Sequence, residues 1–141
     1  MREFKEEKKT MYVKTVTYMD FNETERTEDF YFNLTEMECM ELEIGVEGGM
    51  IETMEKLMGS VQPKEIMDIF KNIVLTAYGV KSADGRRFIK TPEVKEEFAQ
   101  TPAYSIIFME LMQDAKAASE FMRGIVPNDR KQAISIPGAT E

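Results

Sequence analysis

The clearest pattern of hydrophobic and polar positions lies between Ser60 and Val126 and predicts four helices. Apolar residues first recur there at the spacing of one helix face, at Ile66, Ile69, Phe70, Ile73, Val74, Ala77 and Tyr78. Gly79 follows where a left-handed residue would end this helix. The same spacing returns at Tyr104, Ile107, Phe108, Leu111 and Met112, and again at Ala118, Phe121, Met122 and Ile125. These positions are therefore expected to be buried.

Start signals mark where several helices begin. Thr91 and Thr101 each precede a proline, which is the order of an N-cap hydroxyl followed by the first helical residue. Asp114 can cap the last helix in the same way. Thr35 opens an earlier helix, in which Glu38 is placed to complete a capping box and Met37, Met40 and Ile44 would form a thin apolar face.

Two segments near the N-terminus alternate as strands do. Residues 11–20 and 28–34 are rich in β-branched and aromatic residues, and Phe30, Phe32 and Leu34 share one face of the second. The polar segment 21–27 between them predicts a hairpin loop. Two short extended runs also flank an Asp84-Gly85 turn between Val80 and Lys90. A lone hairpin is not stable in water, so the strands must pack on the helices.

These elements predict an α+β, mostly helical fold, with an N-terminal two-stranded antiparallel hairpin packed on a bundle of five to six helices. The bundle would include a helix over residues 47–58, weakened by Gly48 and Gly49. We expect a single domain over residues 11–127, with flexible tails at 1–10 and 128–141.

Composition argues against catalysis. Histidine is absent and Cys39 is the only cysteine, which removes the commonest general base and the commonest zinc ligands. We therefore expect no enzyme activity, no cofactor and no metal. No apolar run is long enough for a membrane span and no secretory signal begins the chain, so a cytoplasmic location is expected.

The charge distribution favours some candidate partners over others. The net charge is −8, and residues 20–55 hold twelve acidic residues and one basic residue, Arg26. Such a segment repels phosphate. Lys81, Arg86, Arg87 and Lys90 surround the Asp84-Gly85 turn, but nucleic acid is an unlikely partner for so few bases, and pairing with the acidic segment is favoured. Glu36, Glu38, Glu41 and Glu43 are interpreted as a solvated helix face rather than a cation site.

Methionine is the remaining candidate for function. The chain has twelve, and five of them crowd the two weakest predicted helices: Met37, Met40, Met50, Met54 and Met58. Flexible thioethers suit surfaces that repack around apolar partners, although methionine also fills cores. We interpret residues 37–58 as the best candidate for a partner-binding groove.

Several segments resemble the tail assembly chaperones of long-tailed, siphovirus-like bacteriophages and prophages. They are YGVKSADGRRFIK at 78–90, FAQTPAY at 98–104, FMRGIVP at 121–127, TVTYMDF at 15–21 and EDFYFNLT at 28–35. The first contains the positions interpreted as a fold-determining loop, namely Tyr78, Gly79, Asp84, Gly85 and Phe88. Asn22-Glu23 departs from the family, in which a glycine is expected at the hairpin turn.

The resemblance implies a non-enzymatic protein of the bacterial host cytoplasm. It would bind the tape measure protein, keep its long apolar helices in solution and help recruit tail tube subunits. We also expect it to be absent from the mature virion, with a second copy of the chain as a possible partner. The alternatives are a structural phage component, such as a head–tail connector or tail completion protein, and a small nucleic-acid-binding regulator.

Overall fold

Four strands and five helices make up the described part of the chain, residues 11–44 and 63–127, in a computed structural model. Their order is β1 Tyr12–Met19, β2 Glu25–Phe32, α1 Glu36–Ile44, α2 Pro63–Ala77, β3 Tyr78–Lys81, β4 Phe88–Ile89, α3 Pro92–Ala99, α4 Pro102–Gln113 and α5 Ala115–Ile125. The predicted α+β class is confirmed. The helix predicted over residues 47–58 and both predicted tails lie outside the described residues.

The strands form one antiparallel sheet in the order β1-β2-β3-β4, so the prediction of a two-stranded hairpin alone was wrong. The amide of Asn33 donates to the carbonyl of Ala77 at 2.9 Å, directly where α2 ends. The chain therefore leaves the helix already paired with β2, and Tyr78 lies opposite Phe32 in the next rung. Tyr78 consequently belongs to β3 and not to the helix stripe in which its spacing had placed it.

The two hairpins differ in how closely they follow the sequence pattern. β2 begins at Glu25, three residues before the predicted start, because the pairing with β1 continues from Tyr12↔Phe32 to Met19↔Glu25. The polar loop is shorter as a result. The runs on either side of Asp84-Gly85 do form a hairpin, in which Val80 pairs with Ile89 and Lys81 with Phe88.

The core lies between one face of the sheet and the helices. Phe30, Phe32 and Leu34 are buried as the alternation predicts, and α4 packs on α5, α2, α3 and β1. Aromatic rings fill the centre of the core: Tyr78 stacks on Phe98 with ring centroids 4.0 Å apart, and Phe32 meets Phe98 edge-on. The buried helix residues include Phe70, Ile73, Val74, Ile107, Phe108, Leu111, Phe121 and Ile125.

The predicted helix caps are confirmed. The hydroxyls of Thr91 and Thr101 accept hydrogen bonds from the amides of Val94 and Tyr104. Asp114 ends α4 and caps α5, with its carboxylate accepting from two amides of the first turn. Asp114 is therefore both the C-cap of α4 and the N-cap of α5, and no further loop residue separates the two helices.

Candidate partner-binding surface

Helix α1 is held in place by a polar contact at its N-terminus. The Thr35 amide donates to Oε1 of Glu38 at 2.9 Å, and the Glu38 amide donates to Oγ1 of Thr35 at 3.1 Å, which is the predicted capping box. Lys90, just after β4, places its Nζ 2.7 Å from the same Glu38 oxygen and 2.6 Å from the carbonyl oxygen of Asn33. The helix is therefore tied to both hairpins of the sheet.

This attachment turns the methionines of α1 outward. Met37 is 70% exposed and Met40 is 55% exposed, whereas Cys39 is buried and Leu42 packs against the core. The apolar face predicted at Met37 and Met40 is therefore turned outward, while the side that carries Cys39 and Leu42 faces the core. Exposed methionines on an ordered helix are what a partner-binding surface requires.

The other candidate methionines, Met50, Met54 and Met58, lie outside the described residues. The groove over residues 37–58 therefore stays a prediction, with Met37 and Met40 as its described part. Within residues 11–44 and 63–127, no group of three or more His, Cys, Asp or Glu side chains could hold a metal ion.

The residues predicted as a fold-determining loop lie in the β3–β4 hairpin, but Gly79 has a different role from the one expected. It is a β3 residue and does not end α2 in a left-handed conformation. A Cβ at Gly79 would lie 2.8 Å from Cε2 of Phe88 and 3.0 Å from the carbonyl oxygen of Ile89. Only glycine lets β4 approach this closely.

The turn between β3 and β4 is built around Asp84 and Gly85. Gly85 has a φ of 78°, which favours glycine, and Oδ1 of Asp84 accepts from Oγ of Ser82 at 2.7 Å and from the Arg86 amide at 3.1 Å. These bonds, that from Ser82 above all, lower the pKa of the Asp84 carboxyl. The turn residues therefore shape the backbone.

The basic residues around this turn do not act as one surface. Lys90 pairs with Glu38 of the acidic segment, as expected, and Nζ of Lys81 lies over the ring of Tyr31, 4.5 Å from its centroid. Arg86 and Arg87 are exposed on the turn. Two arginines on an acidic chain are a weak site for nucleic acid.

Lys95 is a positioning residue that the sequence did not reveal. Its Nζ donates to the carbonyl oxygens of Leu75, Thr76 and Tyr78, where α2 ends and β3 begins. A cation suits the C-terminus of a helix, but here burial lowers its pKa to about 8, with the charge of Lys90 adding to the effect. Its partners are backbone atoms from another element, which leave no side-chain pattern to find.

The tip of the β1–β2 hairpin carries apolar side chains that sequence reasoning also missed. Phe21 is 82% exposed and Met19 is 57% exposed. The sequence signal for this feature was a phenylalanine in an otherwise polar loop.

A second exposed apolar area lies on the outer side of α4. Ile106 and Met109 are each 44% exposed there and line a shallow depression together with Ser105, Glu110, Gln113 and Asp114.

Within the described ranges no helix is long and apolar enough to cross a membrane. These residues expose apolar side chains on an ordered backbone. Such a surface is typical of a protein-binding domain. A family model described as phage tail assembly chaperone matches residues 11–136, and the chain belongs to this family. No curated protein and no solved structure matches it.

Proposed function

We propose that this protein is a non-enzymatic chaperone that binds the tape measure protein and keeps its long apolar helices in solution while tail tube subunits assemble around them. Membership of the tail assembly chaperone family supports the assembly role. In this proposal the protein works in the cytoplasm of the bacterial host, needs no cofactor, self-associates as needed to cover a long partner, and is absent from the mature virion.

The observation that carries the proposal is the outward placement of Met37 and Met40. Both side chains lie on a helix whose fold is secured by the capping box and by Lys90, so their exposure does not depend on a disordered segment. Unbranched thioethers adapt to apolar surfaces of varied shape, which suits a helix whose side chains change along its length. Met50, Met54 and Met58 extend this surface in the proposal.

The acidic side chains near α1 give the complex its solubility. Glu41 is exposed on the same helix, and the chain carries a net charge of −8. A chaperone that covers apolar helices while presenting like charges outward keeps neighbouring complexes apart. The mechanism is therefore holding by apolar burial, without any covalent step.

The test is co-expression with the tape measure protein of the same phage. The intact chain is expected to raise the soluble yield of that partner, and a double Met37→Gln, Met40→Gln variant is expected to lose much of the gain. The matched control is a double Met67→Gln, Met109→Gln variant, because these methionines are also exposed but lie on α2 and α4. An equal loss in both variants, or no gain with the intact chain, would contradict the proposal.

Mass spectrometry of purified particles separates this role from that of a structural phage component. A chaperone should be lost before the virion matures, so detection at a fixed copy number would favour a connector or tail completion protein instead.

A further inference from the structure

Strand β1 lies at one edge of the sheet. Within residues 11–44 and 63–127, its only strand neighbour is β2, and β4 forms the opposite edge. The two edges differ in length, because β4 has two residues, Phe88–Ile89, whereas β1 has eight, Tyr12–Met19. A short edge offers few free backbone groups, but a long one is a template for pairing with a further strand.

Every second residue of β1 directs its backbone away from β2. The Asp20 amide donates to the Thr24 carbonyl at 2.9 Å, where the hairpin turns. Because backbone groups alternate along a strand and the register with β2 runs unbroken along the whole of β1, its even-numbered residues bond to β2. The N–H and C=O groups that face the open edge therefore belong to Val13, Thr15, Thr17 and Met19.

This edge has little that would keep another strand away. A proline, a bulge or a charge commonly protects an edge strand, but Tyr12–Met19 contains no proline and its register with β2 has no bulge. The one charged residue of the strand is Lys14, whose Nζ lies 2.7 Å from Oε1 of Glu110 on α4. That charge is therefore paired with a helix of the same chain.

The residues that face the open edge are complementary to their own copies. Two β1 strands can run antiparallel with Val16 opposite the same residue of the second copy. Val13 then lies opposite Met19, and Thr15 lies opposite Thr17. Val13 and Met19 are 41% and 57% exposed, so each would cover an apolar side chain of the other copy. The β-branched threonines would meet in the middle of the interface.

This register is also the one that uses the whole strand. A shift by two residues in either direction leaves Val13 or Met19 opposite a residue outside β1. In the register centred on Val16, Lys14 lies opposite Tyr18, so no like charges face each other across the new pair. Both strands are ordered before they meet, so little conformational entropy is lost on pairing.

We propose that two copies of the chain dimerise through β1, antiparallel and about a two-fold axis at Val16, so that two four-stranded sheets join into one. A second copy fits this edge better than a helical partner, because the backbone groups of a helix are already bonded within the helix. The inference rests on the proposed function in that it names the surface for the self-association included there. It uses no residue of α1.

The test is sedimentation analysis of the purified chain alone over a range of concentrations, with tape measure protein absent. Val13→Lys with Met19→Lys places like charges opposite each other and should weaken dimerisation about tenfold or more. Val80→Lys with Met67→Lys is the matched control, because it adds the same charge at apolar positions that are 41% and 39% exposed but lie outside β1. The control should dimerise as the parent does. Mixing the Val13→Lys, Met19→Lys chain with a Val13→Glu, Met19→Glu chain should restore a dimer.

Hydrogen exchange of the parent chain provides a readout that needs no substitution. The amides of Thr15 and Thr17 should exchange slowly in the dimer and fast after dilution to the monomer. A chain that stays monomeric, an exchange rate that does not change on dilution because the chain covers its own edge, or an equal loss in both lysine variants would overturn the inference.

The inference and the proposed function fail in different ways. A β1-dependent dimer that does not raise the soluble yield of tape measure protein would support the inference and refute the holding function. A chain that raises this yield but stays monomeric would overturn the inference alone.

Discussion

Replacing Lys90 by methionine tests how α1 is attached to the sheet. The ammonium group of Lys90 makes two short hydrogen bonds, at 2.7 Å to Glu38 and 2.6 Å to the carbonyl of Asn33. The side chains of Lys90 and Glu38 are 14% and 24% exposed, so water screens them less than it screens a surface pair. Methionine keeps the length and the apolar stem but removes the charge and the donors.

The expected loss in the free energy of unfolding lies between the losses for an exposed ion pair and for a buried one. Exposed ion pairs contribute about 0–1 kcal/mol, and hydrogen bonds to charged groups about 1.5–3 kcal/mol. We expect Lys90→Met to lower the free energy of unfolding by about 2 kcal/mol, which corresponds to roughly 4–8 °C in the midpoint for a chain of this size. Glu38→Gln should cost less, because its amide oxygen can still accept from the Thr35 amide and preserve the cap.

The assay is chemical denaturation of the two single variants and the double variant, with hydrogen exchange of the α1 amides. The pair should show a coupling of about 1 kcal/mol, and exchange should accelerate mainly in α1. Lys64→Met is the matched control, because Lys64 and Asp68 form a pair whose side chains are 87% and 58% exposed, and its effect should stay within about 0.5 kcal/mol. A loss below about 0.5 kcal/mol for Lys90→Met, or purely additive effects, would refute the reasoning.

Three further predictions concern the backbone and pH. Glu23→Gly should raise the free energy of unfolding by about 0.5–1 kcal/mol, since φ is 63°, while Glu23→Ala should not; thermal melts compare the two. Gly79→Ala should lower it by about 1–3 kcal/mol because the new Cβ meets Phe88 and the Ile89 carbonyl, and an unchanged melting curve would contradict this close approach. Lys95 has a pKa of about 8 when folded and 10.5 as its ordinary value, so between these pH values the unfolded chain binds more protons. Stability should therefore rise with pH across this interval and be lost as pH falls toward 8. Because water reaches part of this side chain, the rise should be about 1 kcal/mol, and denaturation of Lys95→Met should lack it.

Local signals predicted the helices well. Thr35 with Glu38, the two Thr-Pro starts and Asp114 are caps made between residues two or three positions apart, so the sequence contains the whole interaction. The alternation of Phe30 and Phe32 was equally local. These elements could be placed without knowledge of the tertiary fold.

Long-range contacts account for what the sequence did not predict. Tyr78 continues the spacing of α2, but the bond from the Asn33 amide to the Ala77 carbonyl starts a strand there. The orientation of α1 depends on Lys90, which lies 52 positions from Glu38. Neither partner can be identified by counting along the chain, so the sheet was predicted too small and the outward orientation of the α1 methionines could not be derived from the helix alone.

The exposed tip shows a third kind of limit. A phenylalanine in a polar loop was visible, but its exposure follows from a turn held by Asp20 and Arg26. Since such a turn normally uses glycine where this chain has Glu23, its geometry could not be assigned in advance.

The hydrogen bond between Asn33 and Ala77 holds together the two ends of the segment between them. The segment leaves the sheet and returns to it at neighbouring points, so the distance between its ends is fixed by this hydrogen bond and not by the number of residues in the segment. Lengthening such a segment costs little, because closure entropy grows only slowly with the number of residues. On the proposed function, insertions or deletions in this segment would adapt it to a different tape measure protein while β2 and β3 keep their pairing.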